Sequence, residues 1–462
     1  MKRNILLTLL STAAIATVIS LVNKTDVDTS KSSRKYNPKT LASFEEANSW
    51  NDAAGFYNSI YKDAITGKIE TSKLALAKQE VLQLMTAKST NLNFVEEGPD
   101  NVGGRTRAVA VDPNNNNTMF AGSVTGGLFV SYNAGSNWNR VQEFDDAVSS
   151  AASGVGSIGI SSIAVSKSGA LYVATGGKQF EGGLSGEGSG ISDGDGIWYS
   201  MNLSNFNFQQ VPLTSGLDVN KLQLDHSVDN TLYFAGLGFG LKKMVNFSNP
   251  VSVSGLSASG SIGDVKVSKD GQTIVLDITQ SGKRTFLSKD GGNTFIDLHD
   301  NGQLIGFGVG RAEYAISDSL NADGKYTLYA LFSSTNGTLK GVFRSIDGGD
   351  NWCQIGPSST TGFTPLTSRS GQGNYDLVVI SYPSGIGCVI GGIDLWEWME
   401  TNTTDCDNGQ WYSISNWALP PNNPYYIHAD NHRLLWDDQY NMIVGNDGGI
   451  QKRTGSIWFG VQ

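Results

Sequence analysis

Ser345-Ile346-Asp347-Gly348-Gly349-Asp350-Asn351-Trp352 is the stretch from which the fold can be read. It follows a short apolar run, Gly341-Val342-Phe343-Arg344, and ends on a tryptophan. Gly takes the φ > 0 positions that a tight turn needs. The Asp side chain accepts hydrogen bonds from nearby backbone N–H groups. The aromatic residue opens the next strand and covers the turn with apolar area. The octet returns as Ser288-Lys289-Asp290-Gly291-Gly292-Asn293-Thr294-Phe295 and as Ser131-Tyr132-Asn133-Ala134-Gly135-Ser136-Asn137-Trp138. A worn copy is expected at Asn446-Asp447-Gly448-Gly449, with Trp458 beyond it. Asn133, Asp290, Asp347 and Asp447 are therefore read as structural turn formers at a rim.

The spacing of the octets sets the size of the repeating unit. Ser131 and Ser288 lie 157 residues apart, and Ser288 and Ser345 lie 57 apart, so one unit spans roughly 50 residues. Weaker units are expected at Gly196–Ser200, Gly240–Lys243 and Asp394–Glu397. Each unit opens with an apolar strand pair, such as Ala108–Val111 with Met119–Gly122, or Leu434–Trp436 with Met442–Gly445. Four short strands per repeat is the signature of a β-propeller blade. The expectation is an all-β propeller over 91–462, with about seven four-stranded blades, alone or as part of a larger ring.

Composition agrees with many short strands and tight turns. The 462 residues include 56 Gly and, as aromatics, 10 Trp, 16 Tyr and 19 Phe. The net charge of −10 excludes the basic surface that marks a nucleic-acid binder. Residues 1–22 read as a signal peptide or signal anchor: Lys2 and Arg3, then an apolar run to Val22 with Ala14-Ile15-Ala16 as an A-x-A site. The membrane is expected to be met only through that segment if it is retained. Residues 23–40 read as a flexible linker, and 41–90 as a hairpin of two short helices. Cys353, Cys388 and Cys406 are too few for a disulfide scaffold. The reading is buried free thiols, with Cys388–Cys406 the shorter loop if one pair closes.

The octets resemble the Asp-box, or BNR, repeat of sialidases, xyloglucan-cleaving glycosidases, sortilin-type receptors and photosystem assembly factors. Longer stretches carry a second resemblance: 98–113 with its Gly103-Gly104-Arg105-Thr106-Arg107 core, Gly371–Leu377, and His428-Ala429-Asp430-Asn431-His432 followed by Gly445–Gly449. These look like the secreted, sortilin-like propellers of Bacteroidetes-type bacteria, often labelled glycosyl hydrolases. The resemblance implies an exported chain at the cell surface, outside the cell or in the periplasm. A xyloglucanase-like site implies an acidic residue two places before the first blade's Gly-Gly pair; the matching residue is Val124.

Three constellations are candidates for chemistry. His428, Asp430 and His432 alternate, so on one strand they would share a face. Two imidazoles and a carboxylate suit zinc, although a hydrogen-bonded cluster at the channel mouth reads equally well. Arg105 and Arg107 would share a face before an innermost strand and, with Arg311, line the channel opening and bind an anion. Inter-blade salt bridges are the competing reading. Gly182–Gly196, with Glu187, Asp193 and Asp195, could hold calcium but lacks a regular ligand spacing, so a surface loop is expected. No cofactor is otherwise expected. The function expected is non-catalytic binding of a protein, peptide or glycan outside the cytoplasm. The alternative is a sialidase-like or xyloglucanase-like hydrolase using carboxylates at the channel mouth.

Overall fold

The computed structural model describes residues 104–151, 155–177, 193–256, 260–279, 283–299, 304, 308–356, 363–366, 372–401 and 405–460. The segments read as signal, linker and helical hairpin lie outside the described residues, as do 91–103 and Glu187. Seven antiparallel sheets of four strands follow one another along the chain. They occupy 106–140, 160–210, 219–252, 265–297, 309–356, 378–413 and 431–460, taken below as blades 1 to 7. In each sheet the spatial order of the strands is their order in sequence, so each blade is a simple meander. The expected strand pairs form in register: Ala108 faces Gly122, Leu222 faces Phe234, and Leu434 faces Val444.

The core lies between the blades. Each sheet is apolar on both faces, and each of seven buried clusters joins two neighbouring blades. Val109, Met119 and Ala121 of blade 1 pack on Ile443 and Ile450 of blade 7, which closes the ring. An unexpected helix, Gln142–Ser149, buries Phe144 and Val148 in the cluster between blades 1 and 2. Among the described residues no helix is long and apolar enough to cross a membrane.

The octet turns join the third and fourth strands of blades 1, 4 and 5. In each, the Ser Oγ accepts the N–H of the second glycine-position residue, Gly135, Gly292 or Gly349, at 2.8–2.9 Å. The Asn or Asp Oδ1 accepts the N–H of Asn137, Thr294 or Asn351 at 2.9 Å. Trp138, Phe295 and Trp352 pack against the adjoining clusters.

The fourth expected copy is not one of these turns. Asn446–Gly449 joins the second and third strands of blade 7, Met442–Asn446 and Gly449–Thr454. In an antiparallel meander that turn lies on the face opposite the octets. Asn446 Oδ1 accepts the Gly448 N–H at 3.0 Å and shapes the turn, leaving the Asp447 side chain for another task. The cysteine expectation is corrected as well. Cys353 and Cys406 form a disulfide between blades 5 and 6, whereas Cys388 is free and buried. Loop length was a poor guide, since the ring brings residues 53 apart in sequence to a Cα separation of 6.0 Å.

Candidate functional site

The innermost strands start with irregularities. In blades 1, 2, 3, 5 and 7 the pairing register slips near the first residue, leaving an extra residue at Arg107, Ser161, Asn220, Gly310-Arg311 and His432. A bulge breaks the two-residue alternation of a strand and re-aims a side chain. Here it turns polar groups from several blades towards one end of the central channel. It also defeats the alternation expected for His428, Asp430 and His432: the strand begins at Asn431, so His428 and Asp430 precede it.

Asp447 is the hub of this end. Its Oδ1 accepts from His432 Nε2 at 2.7 Å and pairs with Arg105 Nε at 3.2 Å. Its Oδ2 accepts the Tyr375 phenol at 2.8 Å. Blades 1 and 7 and the helix Gln372–Tyr375 that leads into blade 6 thus converge on one carboxylate. Burial works against the Asp447 charge, but the His432 hydrogen bond and the neighbouring His432 and Arg105 outweigh it and hold the carboxyl down at about 2. Burial pushes the His432 imidazole down to about 4, so it is neutral at neutral pH and donates from Nε2. Burial, with the Asp447 charge, drives the Tyr375 phenol far above its ordinary range. The guanidinium groups of Arg105 and Arg107 lie 5.0 and 5.6 Å from the centre of the Tyr375 ring, and His432 meets that ring edge-on.

A second carboxylate pair lies beside the hub. Gln372 Nε2 donates to Asp376 Oδ2 at 2.9 Å and to Asp430 Oδ1 at 2.8 Å. Asp376 is fully buried, and burial followed by the Asp430 charge raises its carboxyl well above the usual range. Burial and the Asp447 charge raise Asp430 to about 6. The Gln372 amide thus bridges the two carboxyls. Asp430 adopts φ +66°, a left-handed conformation that few non-glycine residues take.

His428 faces elsewhere. Its Nδ1 lies 3.1 Å from the Ala429 carbonyl oxygen, and its N–H donates to Gln451 Oε1 at 2.8 Å. The ring packs over Gly448, where any Cβ would fall 2.4 Å from His428 Cγ. Among the described residues no three His, Cys, Asp or Glu side chains are grouped as a metal site requires.

Deeper in the channel, Arg311 donates to the Tyr375 and Leu377 carbonyl oxygens and to Glu313, each at 2.8–2.9 Å, fixing blade 5 to blade 6. Lys221 of blade 3 reaches across to Glu313 at 3.0 Å and to Asp264 at 3.5 Å. Arg107, Lys221, Arg311, Tyr375, His432 and Arg433 line one small recess together with Ser161 and Ser162.

The sequence thus singled out Arg105, Arg107, Arg311, His428, Asp430 and His432, and the structure brings Arg105, Arg107, His432 and Tyr375 together around Asp447 but not His428. It missed Gln372, Tyr375 and Asp376, although the Gly371–Leu377 stretch had been marked. Lys221, Glu313 and Arg433 had no motif around them. Asp195, in the Gly-rich stretch, is buried and accepts from Gln210 Nε2, a structural role.

No family model and no curated protein matches the chain. Among solved structures, the GH74 xyloglucanase from Xanthomonas campestris aligns with a TM-score of 0.52 and 15% identity, over 76% of this chain and 52% of that one. This chain therefore spans about half the length of that enzyme. The extracellular domain of a hybrid two-component system from B. thetaiotaomicron aligns with a TM-score of 0.48 and 14% identity, over 78% and 39% of the two chains. YCF48 from Cyanidioschyzon merolae gives 0.47 and 11%, over 76% and 94%. At these identities the likeness concerns the fold.

Proposed function

We propose that the chain is an exported, non-catalytic propeller of the Asp-box type that binds a protein, peptide or glycan outside the cytoplasm. The surface it uses is the face around Arg105, Tyr375, Asp430, His432 and Asp447. One observation carries the reading: the acidic groups of this face are committed to one another. Asp447 is held by three donors, and Asp376 and Asp430 both accept from the Gln372 amide. A two-carboxylate glycosidase needs its acid and its base on either side of the scissile bond, about 5–9.5 Å apart. Asp376 is fully buried beneath this face, so it cannot flank a bond of a glycan lying on it. Val124, in the turn of blade 1, adds no carboxylate. A rigid, polar, pre-formed face fits recognition instead. The Cys353–Cys406 disulfide supports a location in an oxidising compartment. Expected for the purified chain is no release of reducing ends from xyloglucan or sialylated glycans. Release that disappears in Asp430→Asn would overturn the reading in favour of a hydrolase.

A further inference from the structure

We propose that the face around Asp447 binds a neutral glycan chain, which stacks on Trp417 and Tyr425. The inference rests on the binding reading above and names the class of ligand for that face.

Both aromatics belong to the segment 414–430, which joins blade 6 to blade 7. Ile414 and Ile427 pin the segment in the apolar cluster between those blades. The Asn416 N–H donates to the Tyr425 carbonyl oxygen at 2.9 Å, which sets Trp417 beside Tyr425. The Trp417 N–H donates to Asp394 Oδ1 at 2.8 Å. Asp394 lies between the second and third strands of blade 6, as Asp447 does in blade 7. The aromatic pair therefore stands on the same face as the hub. From there the segment runs through His428 and Asp430 into Asn431, which pairs with Asn446 at the Asp447 turn.

The platform is formed before any ligand arrives. Asn416 Oδ1 accepts the Ala418 N–H and Asn423 Oδ1 accepts the Tyr425 N–H, each at 2.9 Å. The Pro424 carbonyl oxygen accepts the Trp458 N–H at 3.0 Å. Pro420, Pro421 and Pro424 fix φ along the segment. This order does not bury the rings: Trp417 and Tyr425 are each 49% exposed. The Trp417 indole N–H donates to no group among the described residues. A held backbone that leaves two large amphipathic rings in water lowers the ordering cost of binding.

Charge selects the ligand class. Residues 408–429 contain no Asp, Glu, Lys or Arg, although these make up 16% of the chain. A charged peptide or an acidic sugar finds no ion pair along such a strip. The pyranose ring of a neutral sugar matches it better. Its C–H face lies on an aromatic ring, and its hydroxyl groups accept the free indole N–H. Asp430, half-buried at the far end of the segment, offers a carboxylate to further hydroxyl groups.

The test is native affinity electrophoresis of the full chain through gels containing xyloglucan, mixed-linkage β-glucan, galactomannan or polygalacturonate. Expected is retardation by at least one of the neutral polymers and none by polygalacturonate. Trp417→Ala and Tyr425→Ala should each weaken association about tenfold or more, the loss typical of an aromatic anchor. Trp417→Phe keeps a ring and should lie between. Tyr440→Ala removes an exposed aromatic from the opposite face of blade 7 and should match the unaltered chain. Retardation by none of the neutral polymers would overturn the inference. So would retardation by polygalacturonate equal to theirs, or the same retardation in a folded Trp417→Ala chain. Those results leave the non-catalytic reading standing with a different ligand. Release of reducing ends from a polymer bound through Trp417 would do the reverse.

Discussion

The Tyr375 phenol donates a 2.8 Å hydrogen bond to Asp447 and so ties the entrance of blade 6 to a turn of blade 7. The bond depends on a coincidence of scales. Tyr375 ends a single-turn helix, while Asp447 sits in a two-residue turn 72 residues later. The packing of blade 6 against blade 7 puts them together. Both groups are then locked into one protonation state, with the phenol neutral and the carboxylate charged.

Acid–base behaviour should separate the two titrating groups of this face. Asp430 is raised to about 6, so the stability linked to its neutral form is present below its ordinary pKa of 3.8 and is lost as pH rises through 6. His432 is lowered to about 4, so its contribution is present above 6.5 and is lost as pH falls from 6.5 towards 4. In Asp430→Asn the first effect vanishes. The variant should gain about 2–3 kcal/mol on the unaltered chain at pH 8 relative to the difference at pH 4. Urea unfolding at the two pH values measures it; an equal difference at both would exclude the raised Asp430 carboxyl.

Removing the Cys353–Cys406 bridge should cost stability because it closes a long loop between two blades. Chain-entropy reasoning for this separation gives about 2–4 kcal/mol. Cys353→Ser with Cys406→Ser, or reduction of the unaltered chain, should lower the unfolding midpoint. Thiol labelling provides the control. The native oxidised chain should expose no reactive thiol and the unfolded oxidised chain one, from Cys388, whose thiol burial raises above its usual range.

Ala134 sits where the other two octet turns carry glycine. Its φ is +56°, against +69° at Gly291 and +73° at Gly348. A Cβ in that conformation is strained. Ala134→Gly should therefore stabilise the chain by about 0.5–1 kcal/mol, and Gly348→Ala should destabilise it by a similar amount or more. Denaturant midpoints of the two variants decide the matter; a loss in Ala134→Gly would contradict the shared turn geometry.

The fold was legible because its signal is local and repeated. Ser345 and Asp347 make the same bonds as Ser288 and Asp290, and an octet holds all that is needed to predict them. The site was legible only in part, since it is assembled from single residues at the starts of different strands. Alternation arguments fail at a bulge, which is why His428, Asp430 and His432 do not share a face. Asp447 was misplaced for a related reason. Asn-Asp-Gly-Gly reads alike in either kind of turn, and only the strands that flank it decide which face it occupies. Lys221 and Glu313, 92 residues apart, left no trace in the local sequence.

Because every blade uses four consecutive strands, no strand among the described residues is woven across the junction where the first blade meets the last. That seam rests on the smallest of the seven apolar clusters among the described residues, Val109, Met119, Ala121, Ile443 and Ile450. The Arg105–Asp447 ion pair bridges the same junction. A guest seated on this face would thus press directly on the clasp of the toroid, so grip on the guest and the mechanical integrity of the circle are one and the same matter.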